Sequence, residues 1–396
     1  MYRKIFVPLD NSKYSDYSIE MATEIAGSSN ATLVGNHVYA AKLHEVRFTQ
    51  MEPGLPDRFQ DPAELQRQRD VHSTLITTGL ELISDSYLDV FTRICEKKGL
   101  KHERSMLEGK NYQELVKDIQ TKDYDLVIMG FKGIGSSKST TIGSVTERVV
   151  RRVKTDTLIM KNDRPLRENR ILVAIDGSEQ SYEGLRRAME FSKYLGTTIE
   201  AVSVYDPNFH YVMFNNISKV LSEEAGDVFR FKEQEALHEN IIDEGLEKIY
   251  TDYLSVAKQY AEEQGVEIKT TLLSGKAFVK INRYVEKIKP ALLVMGKIGY
   301  HADEDLDIGA CTENLLRSSD TNLLLVNGKH VPKVKMNYQE ELEPLEWDEE
   351  ATASLNRAPQ FVHKMVIKTV ENYAREVGSN VVTGEIMQVV RAKFGM

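Results

Sequence analysis

The sequence predicts an α/β protein with two tandem doubly wound parallel-sheet domains and a small all-α domain at the C-terminal end. The first observation is a glycine pattern that occurs twice, with Gly296 and Gly309 each lying 166 positions beyond Gly130 and Gly143. The second is the alternation of short apolar runs with segments of helical periodicity in both copies. The third is the end of the strand-like runs after Val326. The chain therefore divides into two repeats of one unit and a helical tail.

Five apolar runs in each repeat predict buried strands, because the strands of a parallel sheet are covered on both faces. The runs are 4–10, 32–38, 101–107, 126–129 and 157–160 in repeat 1, and 170–176, 198–204, 267–273, 292–295 and 322–326 in repeat 2. Helical periodicity follows the first run of each repeat. A polar-rich insertion follows the second run, at roughly 40–75 and 206–240, and leads into a helix that ends near Gly99 or Gly265.

The tail differs from the repeats in composition and pattern. It opens with an acidic stretch that contains prolines and then shows helical periodicity. We expect three helices, at about 349–356, 359–377 and 383–394. Gly378 has the position of a helix C-cap residue, and Thr383 marks the start of the next helix. The predicted domains are 1–162, 168–328 and 345–396.

Composition limits the classes of function. The net charge of −9, from 51 basic and 60 acidic residues, argues against a general nucleic-acid binder, which would carry a basic field. Two cysteines exclude a disulfide framework and favour a reducing compartment. We find neither an apolar leader nor a run of 18 apolar residues, so we expect a cytoplasmic protein without signal peptide or membrane contact. The histidines and cysteines lack metal-ligand spacing, which predicts no metal site.

The glycine loop of repeat 1 has the chemistry of a phosphate-binding turn. Glycines let backbone N–H groups approach phosphate oxygens closely, and the N-terminus of the following helix supplies unpaired donors and a positive dipole end. The hydroxyls of Ser144 and Thr146 can add donors, while Lys132 and Lys138 can neutralise charge. The alternative is that the glycines only permit tight turns. Neither the Walker A pattern nor the GxGxxG fingerprint is met.

This loop, with an aspartate at the end of the first strand, resembles the ATP-binding signature of the universal stress protein family. The resemblance covers about residues 1–327 as two tandem units and implies a Rossmann-like, adenine nucleotide alpha hydrolase-like fold. It implies ATP, with or without Mg²⁺, as the ligand. The nucleotide-binding residues that it implies in repeat 1 are Pro8, Asp10, Val38, Met129, Gly130, Lys132, Gly133, Gly143, Ser144, Val145 and Thr146. Asp10 as a simple turn cap and Val38 as a core residue remain alternatives.

Repeat 2 departs from this signature. Its corresponding positions are Asp176, Val204, Gly296, Gly299 and Gly309. Ala310 replaces the last serine, and the loop contains four carboxylates, Asp303, Glu304, Asp305 and Asp307. Repulsion of about 1–3 kcal/mol per close charge pair rivals the roughly 0.3–2 kcal/mol that a helix dipole returns. The site is therefore degenerate, assisted by Mg²⁺, or flanked by an unrelated acidic loop, and we expect ATP to prefer repeat 1.

The tail from Trp347 to Phe394 is similar to the small helical domain that ends the light-independent protochlorophyllide reductase B subunit. The similarity rests on Trp347, Pro359-Gln360-Phe361-Val362 and Glu371-Asn372-Tyr373-Ala374-Arg375. That reductase needs iron–sulfur ligands that two cysteines cannot supply, so its activity does not carry over. The tail is either a docking or sensing module or a stabiliser of dimer contacts.

Together these features predict a regulatory, adenine-nucleotide-binding protein of the stress-response type. We expect it to pass its state to a protein partner through the insertions or the C-terminal helices. The resemblance to the universal stress protein family implies that the repeats pair internally through their final strands, as a pseudo-dimer that can also form a homodimer of whole chains. The alternatives are a slow ATPase or adenylate hydrolase and a nucleotide-free scaffold. No general base is evident from the sequence, which weakens the enzyme alternative.

Overall fold

A computed structural model of the chain describes residues 1–137, 139–207, 243–300, 306–334, 345–356 and 363–394. It divides into two compact units, Met1–Val334 and Lys335–Met396. The first unit contains both repeats and the second contains the tail. The finer predicted limits of three domains remain a prediction. No helix in the described part of the chain combines the length and the apolar character needed to cross a membrane.

All ten predicted strands are present in the first unit, with ends shifted by one or two residues. They are β1 (Lys4–Pro8), β2 (Thr32–Tyr39), β3 (His102–Glu108), β4 (Leu126–Gly130), β5 (Asp156–Met160), β6 (Arg170–Ala174), β7 (Thr198–Tyr205), β8 (Ile268–Ser274), β9 (Leu292–Gly296) and β10 (Asn322–Val326). The described helices are α1 (Lys13–Ser29), α2 (Ala41–Met51), α3 (Pro62–Lys97), α4 (Asn111–Thr121), α5 (Ser144–Arg152), α6 (Glu179–Leu195), α7 (Asp243–Glu263), α8 (Ala277–Ile288) and α9 (Ala310–Ser318).

The ten strands form one sheet in the order β3-β2-β1-β4-β5-β10-β9-β6-β7-β8. Within each repeat all neighbouring strands are parallel. The two halves join where β5 pairs antiparallel with β10, with Leu158 opposite Leu324. This topology confirms the predicted doubly wound fold. It also places the junction between the final strands of the two repeats, as the sequence predicts.

Helices cover both faces of the sheet. On β1, Ile5 and Val7 pack in one buried cluster with residues of α1 and α3, while Phe6 packs in the other with residues of α4 and α5. The same division holds in repeat 2, where α6 and α7 cover one face and α8 and α9 the other. Burying each large aliphatic side chain stabilises the fold by about 1.5–3 kcal/mol. Because successive residues of these strands face the two buried sides in turn, the strand sequence is a continuous apolar run.

The first insertion is helical. It forms α2 and the N-terminal half of α3, with the 3₁₀ turns Glu52–Gly54 and Asp57–Phe59 between them. Helix α3 begins there because Pro62 occupies its first turn and Asp61 caps it, accepting hydrogen bonds from the next backbone N–H groups. Most of the second predicted insertion, 206–240, lies outside the described residues.

The tail unit contains the helices α10 (Glu349–Asn356), α11 (His363–Glu376) and α12 (Gly384–Phe394) and a two-stranded parallel pair, β11 (Glu346–Trp347) and β12 (Val381–Val382). The three helices were predicted and the strand pair was not. Gly378 has φ +77° and Thr383 Oγ1 accepts from Ile386 N at 3.4 Å, which confirms both predicted caps. Trp347 Nε1 donates to Glu371 Oε1 at 3.1 Å. The predicted helix residues 359–362 lie outside the described part.

Candidate functional site

A cavity of about 700 Å³ lies at the carboxyl ends of the parallel strands of repeat 1. It opens between β1 and β4, where the direction of the crossover connections reverses and where open α/β sheets bind ligands. Every residue implied by the resemblance in repeat 1 lines it. These residues are Pro8, Asp10, Val38, Met129, Gly130, Lys132, Gly133, Gly143, Ser144, Val145 and Thr146.

Asp10 connects the turn after β1 to the glycine loop. Its Oδ1 accepts hydrogen bonds from the backbone N (3.1 Å) and the Oγ (2.6 Å) of Ser12, and its Oδ2 accepts from Ile134 N at 2.9 Å. A Cβ atom at Gly133 would lie 2.5 Å from Asp10 Oδ2, so the close approach requires glycine. Asp10 thus caps the turn and also faces the cavity.

The N-terminus of α5 faces the same cavity. Its cap residue is Gly143, and no side chain caps the helix. Ser144 is exposed, so its hydroxyl and the first-turn N–H groups remain open to an anion. The Thr146 hydroxyl, which was predicted to add a donor, is buried and donates to Gly130 O at 2.7 Å. This hydroxyl hydrogen is therefore used within the loop and is not available to a ligand.

Lys132 provides the positive charge at this end of the cavity. Its Nζ lies 5.5 Å from the centre of the Phe131 ring, and within the described residues it forms no ion pair. The second predicted cation, Lys138, lies outside the described residues. A lysine beside an uncapped helix N-terminus gives this end of the cavity the electrostatics of a phosphate site.

Another part of the cavity wall comes from α3 and from His37 of β2, and these residues were not predicted. Leu80, Ile83 and Tyr87 of α3 line it, together with His37 of β2. The Tyr87 ring stands edge-on to the imidazole of His37 at 5.0 Å between centres. Burial lowers the pKa of His37. Helix α3 begins within a long insertion, and the sequence does not determine which of its residues face the sheet. Periodicity alone therefore could not predict which side chains line the cavity.

Repeat 2 repeats the backbone arrangement of the loop. Asp176 accepts from Ser178 N and from Tyr300 N, both at 3.0 Å, as its counterpart does in repeat 1. Thr312 Oγ1 donates to Gly296 O at 3.0 Å. The predicted residues Gly296, Gly299 and Gly309 meet in this loop, and Val204 of β7 lies opposite Leu273 of β8, as Val38 lies opposite Leu107 in repeat 1.

The side chains around the repeat 2 loop differ. Ile298 takes the position of Lys132, and its backbone N donates to Gln180 Oε1 at 2.9 Å. The neighbouring Lys297 is buried and donates to Arg151 O (3.2 Å) and Val153 O (2.9 Å) at the end of α5. This burial lowers the pKa of Lys297 to about 8. The loop therefore lacks a cation at the position equivalent to Lys132, and its Ile298 N–H group already donates to a side chain.

Aromatic residues pack against the aspartate turn of repeat 2. Gly177 has φ +83°, and a Cβ atom there would lie 2.5 Å from Tyr253 Cζ. The ring of Tyr253 lies 5.5 Å from that of Tyr250 and 6.2 Å from that of Tyr300. Burial is the largest cause and the neighbouring tyrosines add to it, and together they raise the pKa of Tyr253 to about 12. The equivalent residues of repeat 1 are Tyr87, Ser84 and Ile134.

Only part of the acidic loop is described. Asp307 pairs with Arg151 of repeat 1 at 2.8 Å, so its charge is compensated across the repeat junction. Asp303, Glu304 and Asp305 lie outside the described residues. The three interpretations of this loop therefore stay predictions.

Comparisons with known proteins agree with this architecture. The Universal stress protein family matches residues 1–161 and 168–327, and the Proto-chlorophyllide reductase 57 kD subunit matches residues 347–391. A universal stress protein of Methanocaldococcus jannaschii is 27% identical over 162 residues, which is 40% of this chain and 81% of that protein. The crystal structure of a universal stress protein from Archaeoglobus fulgidus covers 82% of this chain and 98% of its own, with a TM-score of 0.54 at 17% identity. Both predicted resemblances are confirmed.

Proposed function

Because the chain belongs to the universal stress protein family, we propose that it is an adenine-nucleotide-binding regulatory protein with its ATP site in repeat 1. The observation that carries this proposal is a single cavity with two chemically different ends. One end has the glycine loop, the uncapped α5 and Lys132, and the other has apolar and aromatic side chains of α3. A nucleotide has the same two parts, a charged phosphate chain and a flat base.

The phosphate end offers three kinds of stabilisation. Backbone N–H groups at the start of α5 can donate to phosphate oxygens, and the helix dipole contributes about 0.3–2 kcal/mol. Ser144 adds an exposed hydroxyl beside them. Lys132 adds a charge-assisted hydrogen bond, typically worth about 1.5–3 kcal/mol. The triphosphate of ATP can use all three at once.

The size of the cavity also suits a nucleotide. Its volume of about 700 Å³ lies within the roughly 300–1,000 Å³ of small-molecule sites. Asp10 lies between the two ends, where ribose hydroxyls can donate to its carboxylate. Mg²⁺ would be held mainly by the nucleotide phosphates, since the described residues contain no group of three His, Cys, Asp or Glu side chains able to hold a metal.

We propose that repeat 2 binds ATP weakly or has lost this function. Ile298 and Ala310 replace the cation and the hydroxyl of repeat 1, and Gln180 already accepts from a loop N–H group. The duplication thus keeps the pairing of the repeats while one site diverges.

The regulatory part of the proposal concerns a protein partner. Helix α3 projects along the surface of repeat 1 and exposes the apolar side chains Val71, Leu75 and Leu82. The same helix lines the cavity through Leu80 and Tyr87, so one element joins the proposed nucleotide site to a surface that a partner can contact. The tail helices are the second proposed contact surface.

Isothermal titration of the full chain with ATP tests the site. Asp10→Ala and Asp176→Ala are a matched pair, because the two aspartates make equivalent hydrogen bonds in their repeats. We expect Asp10→Ala to weaken ATP binding at least tenfold and Asp176→Ala to leave it unchanged. Equal loss in both variants, or loss only in Asp176→Ala, would refute the assignment to repeat 1. Chromatography of the nucleotide after titration separates binding from hydrolysis.

A further inference from the structure

His37 has a defined tautomer because of a directional chain of hydrogen bonds. Ser84 Oγ donates to Leu80 O at 2.7 Å, which uses its only hydrogen. Ser84 Oγ also lies 2.8 Å from His37 Nδ1, so there it can only accept. We therefore assign the hydrogen of a neutral His37 to Nδ1, which leaves a free lone pair on Nε2.

This lone pair is available in the cavity. Desolvation lowers the pKa of His37, with a smaller opposing contribution from Asp10, so the ring is neutral near pH 7. In the described part of the chain no group donates to Nε2. The atom is accessible to solvent rather than buried without a partner. His37 lines the cavity beside Ile83 and Tyr87, on the β2 side of β1, whereas the phosphate loop follows β4 on the other side of β1. An acceptor set in an apolar and aromatic wall suits the edge of a base.

Repeat 2 lacks this arrangement. Ser203 takes the position of His37, and its Oγ donates to Ile175 O at 2.7 Å. Tyr250 takes the position of Ser84. Among the described residues of the two equivalent sites, an imidazole therefore occupies this position in repeat 1 only.

We propose that His37 Nε2 accepts a hydrogen bond from the exocyclic 6-amino group of the bound base, so that repeat 1 selects 6-aminopurines over 6-oxopurines. This rests on the proposed nucleotide function. In a 6-oxopurine the same position is a carbonyl oxygen, and two acceptors would then face each other without a hydrogen. Sites that present a fixed hydrogen-bonding group reject such analogues more strongly than apolar pockets do.

The test is the ratio of the dissociation constants for ITP and ATP, measured by titration of the full chain. His37→Phe keeps a planar ring and removes the acceptor, and we expect it to reduce the preference for ATP about tenfold. His37→Gln retains an acceptor and should keep most of the preference. His102→Phe is the matched control, because His102 lies on β3 outside the cavity and is expected to leave the ratio unchanged.

The outcomes separate this proposal from the one on which it rests. If the full chain binds no nucleotide, the proposed function itself fails. If it binds ATP but His37→Phe leaves the ratio unchanged, only the role of His37 is wrong. If His37→Phe weakens the binding of ATP but not of 2′-deoxy-ATP, and leaves the ratio of ITP to ATP unchanged, the proposal is overturned too, because Nε2 would then accept from the 2′-hydroxyl of the ribose.

Ser84 is a positioning residue in this account. Ser84→Ala removes the acceptor for Nδ1–H, so the two tautomers of His37 become comparable and the preference for ATP should fall in part. Imidazole ¹⁵N chemical shifts report the tautomer directly. We expect the Nδ1–H form in the unmodified chain and a mixture in Ser84→Ala. An Nε2–H form in the unmodified chain would overturn the proposal.

Discussion

At the residue scale, the contrast between the two sites lies in a few equivalent positions on one backbone arrangement. Lys132 and Ile298 occupy the same place in the glycine loops, and Ser144 and Ala310 the same place at the helix starts. The hydrogen bond from Thr146 to Gly130 is instead present in both repeats, as Thr312 to Gly296. Because the shared bonds maintain the loop, we expect the differing side chains to decide the proposed difference in ATP binding.

Lys132→Met tests the phosphate end of the cavity. Removing a charge-assisted hydrogen bond costs about 1.5–3 kcal/mol, so ATP affinity should fall at least tenfold. AMP has fewer charges at that end and should lose less. The measurement is titration with both nucleotides. Lys117→Met, which removes an exposed lysine of α4, is the control, and equal losses for ATP and AMP would contradict the assignment.

At the element scale, α5 and α9 join the glycine loops to the repeat junction. Each helix starts at one loop, and the two cross-pair through Arg151 with Glu313 and Arg317 with Glu147. Each helix also receives hydrogen bonds at its C-terminal carbonyl groups from a lysine of the other repeat. Lys297 donates to the end of α5, and Lys161 donates to the end of α9. Because the last carbonyl groups of a helix have no partner within the helix, these hydrogen bonds satisfy them and stabilise the junction.

Lys161 makes this junction sensitive to pH. Burial lowers its pKa to about 7 from an ordinary value of 10.5, so between these values the unfolded chain binds more protons than the folded chain. The contribution of Lys161 to the free energy of unfolding therefore rises as the pH increases from 7 to 10.5. Urea unfolding at pH 7.5 and 9.5 should show a larger rise for the unmodified chain and for Lys117→Met than for Lys161→Met, in which only Lys297, with its pKa lowered to about 8, still contributes. The same pH dependence in all three would contradict it.

These elements show what sequence could and could not predict. The strands of the first unit were predictable because continuous apolar runs such as β5 are buried on both faces. The residues of the glycine loop were predictable because backbone geometry requires glycine at positions such as Gly133. The orientation of the Lys297 side chain was not predictable, because its contact with the C-terminal end of α5 depends on how the repeats pair. The roles of His37 and Tyr87 depend on the packing of α3, which no local pattern encodes.

At the scale of the whole molecule, one chain combines two repeats in a single ten-stranded sheet with a separate tail unit. The antiparallel pairing of β5 with β10 makes the pair of repeats a pseudo-dimer within one chain. Such an arrangement lets one site diverge while the junction keeps its packing. The tail has its own buried core, which includes Val370 and Val390, and its similarity to a reductase subunit segment concerns this unit alone.

Native mass spectrometry of the full chain titrated with ATP tests the central claim most directly, because it counts bound nucleotides per chain. We expect a single bound ATP at saturation, lost in Asp10→Ala and retained in Asp176→Ala. Two bound nucleotides of similar affinity, or none at millimolar ATP, would contradict the account of one functional and one diverged site.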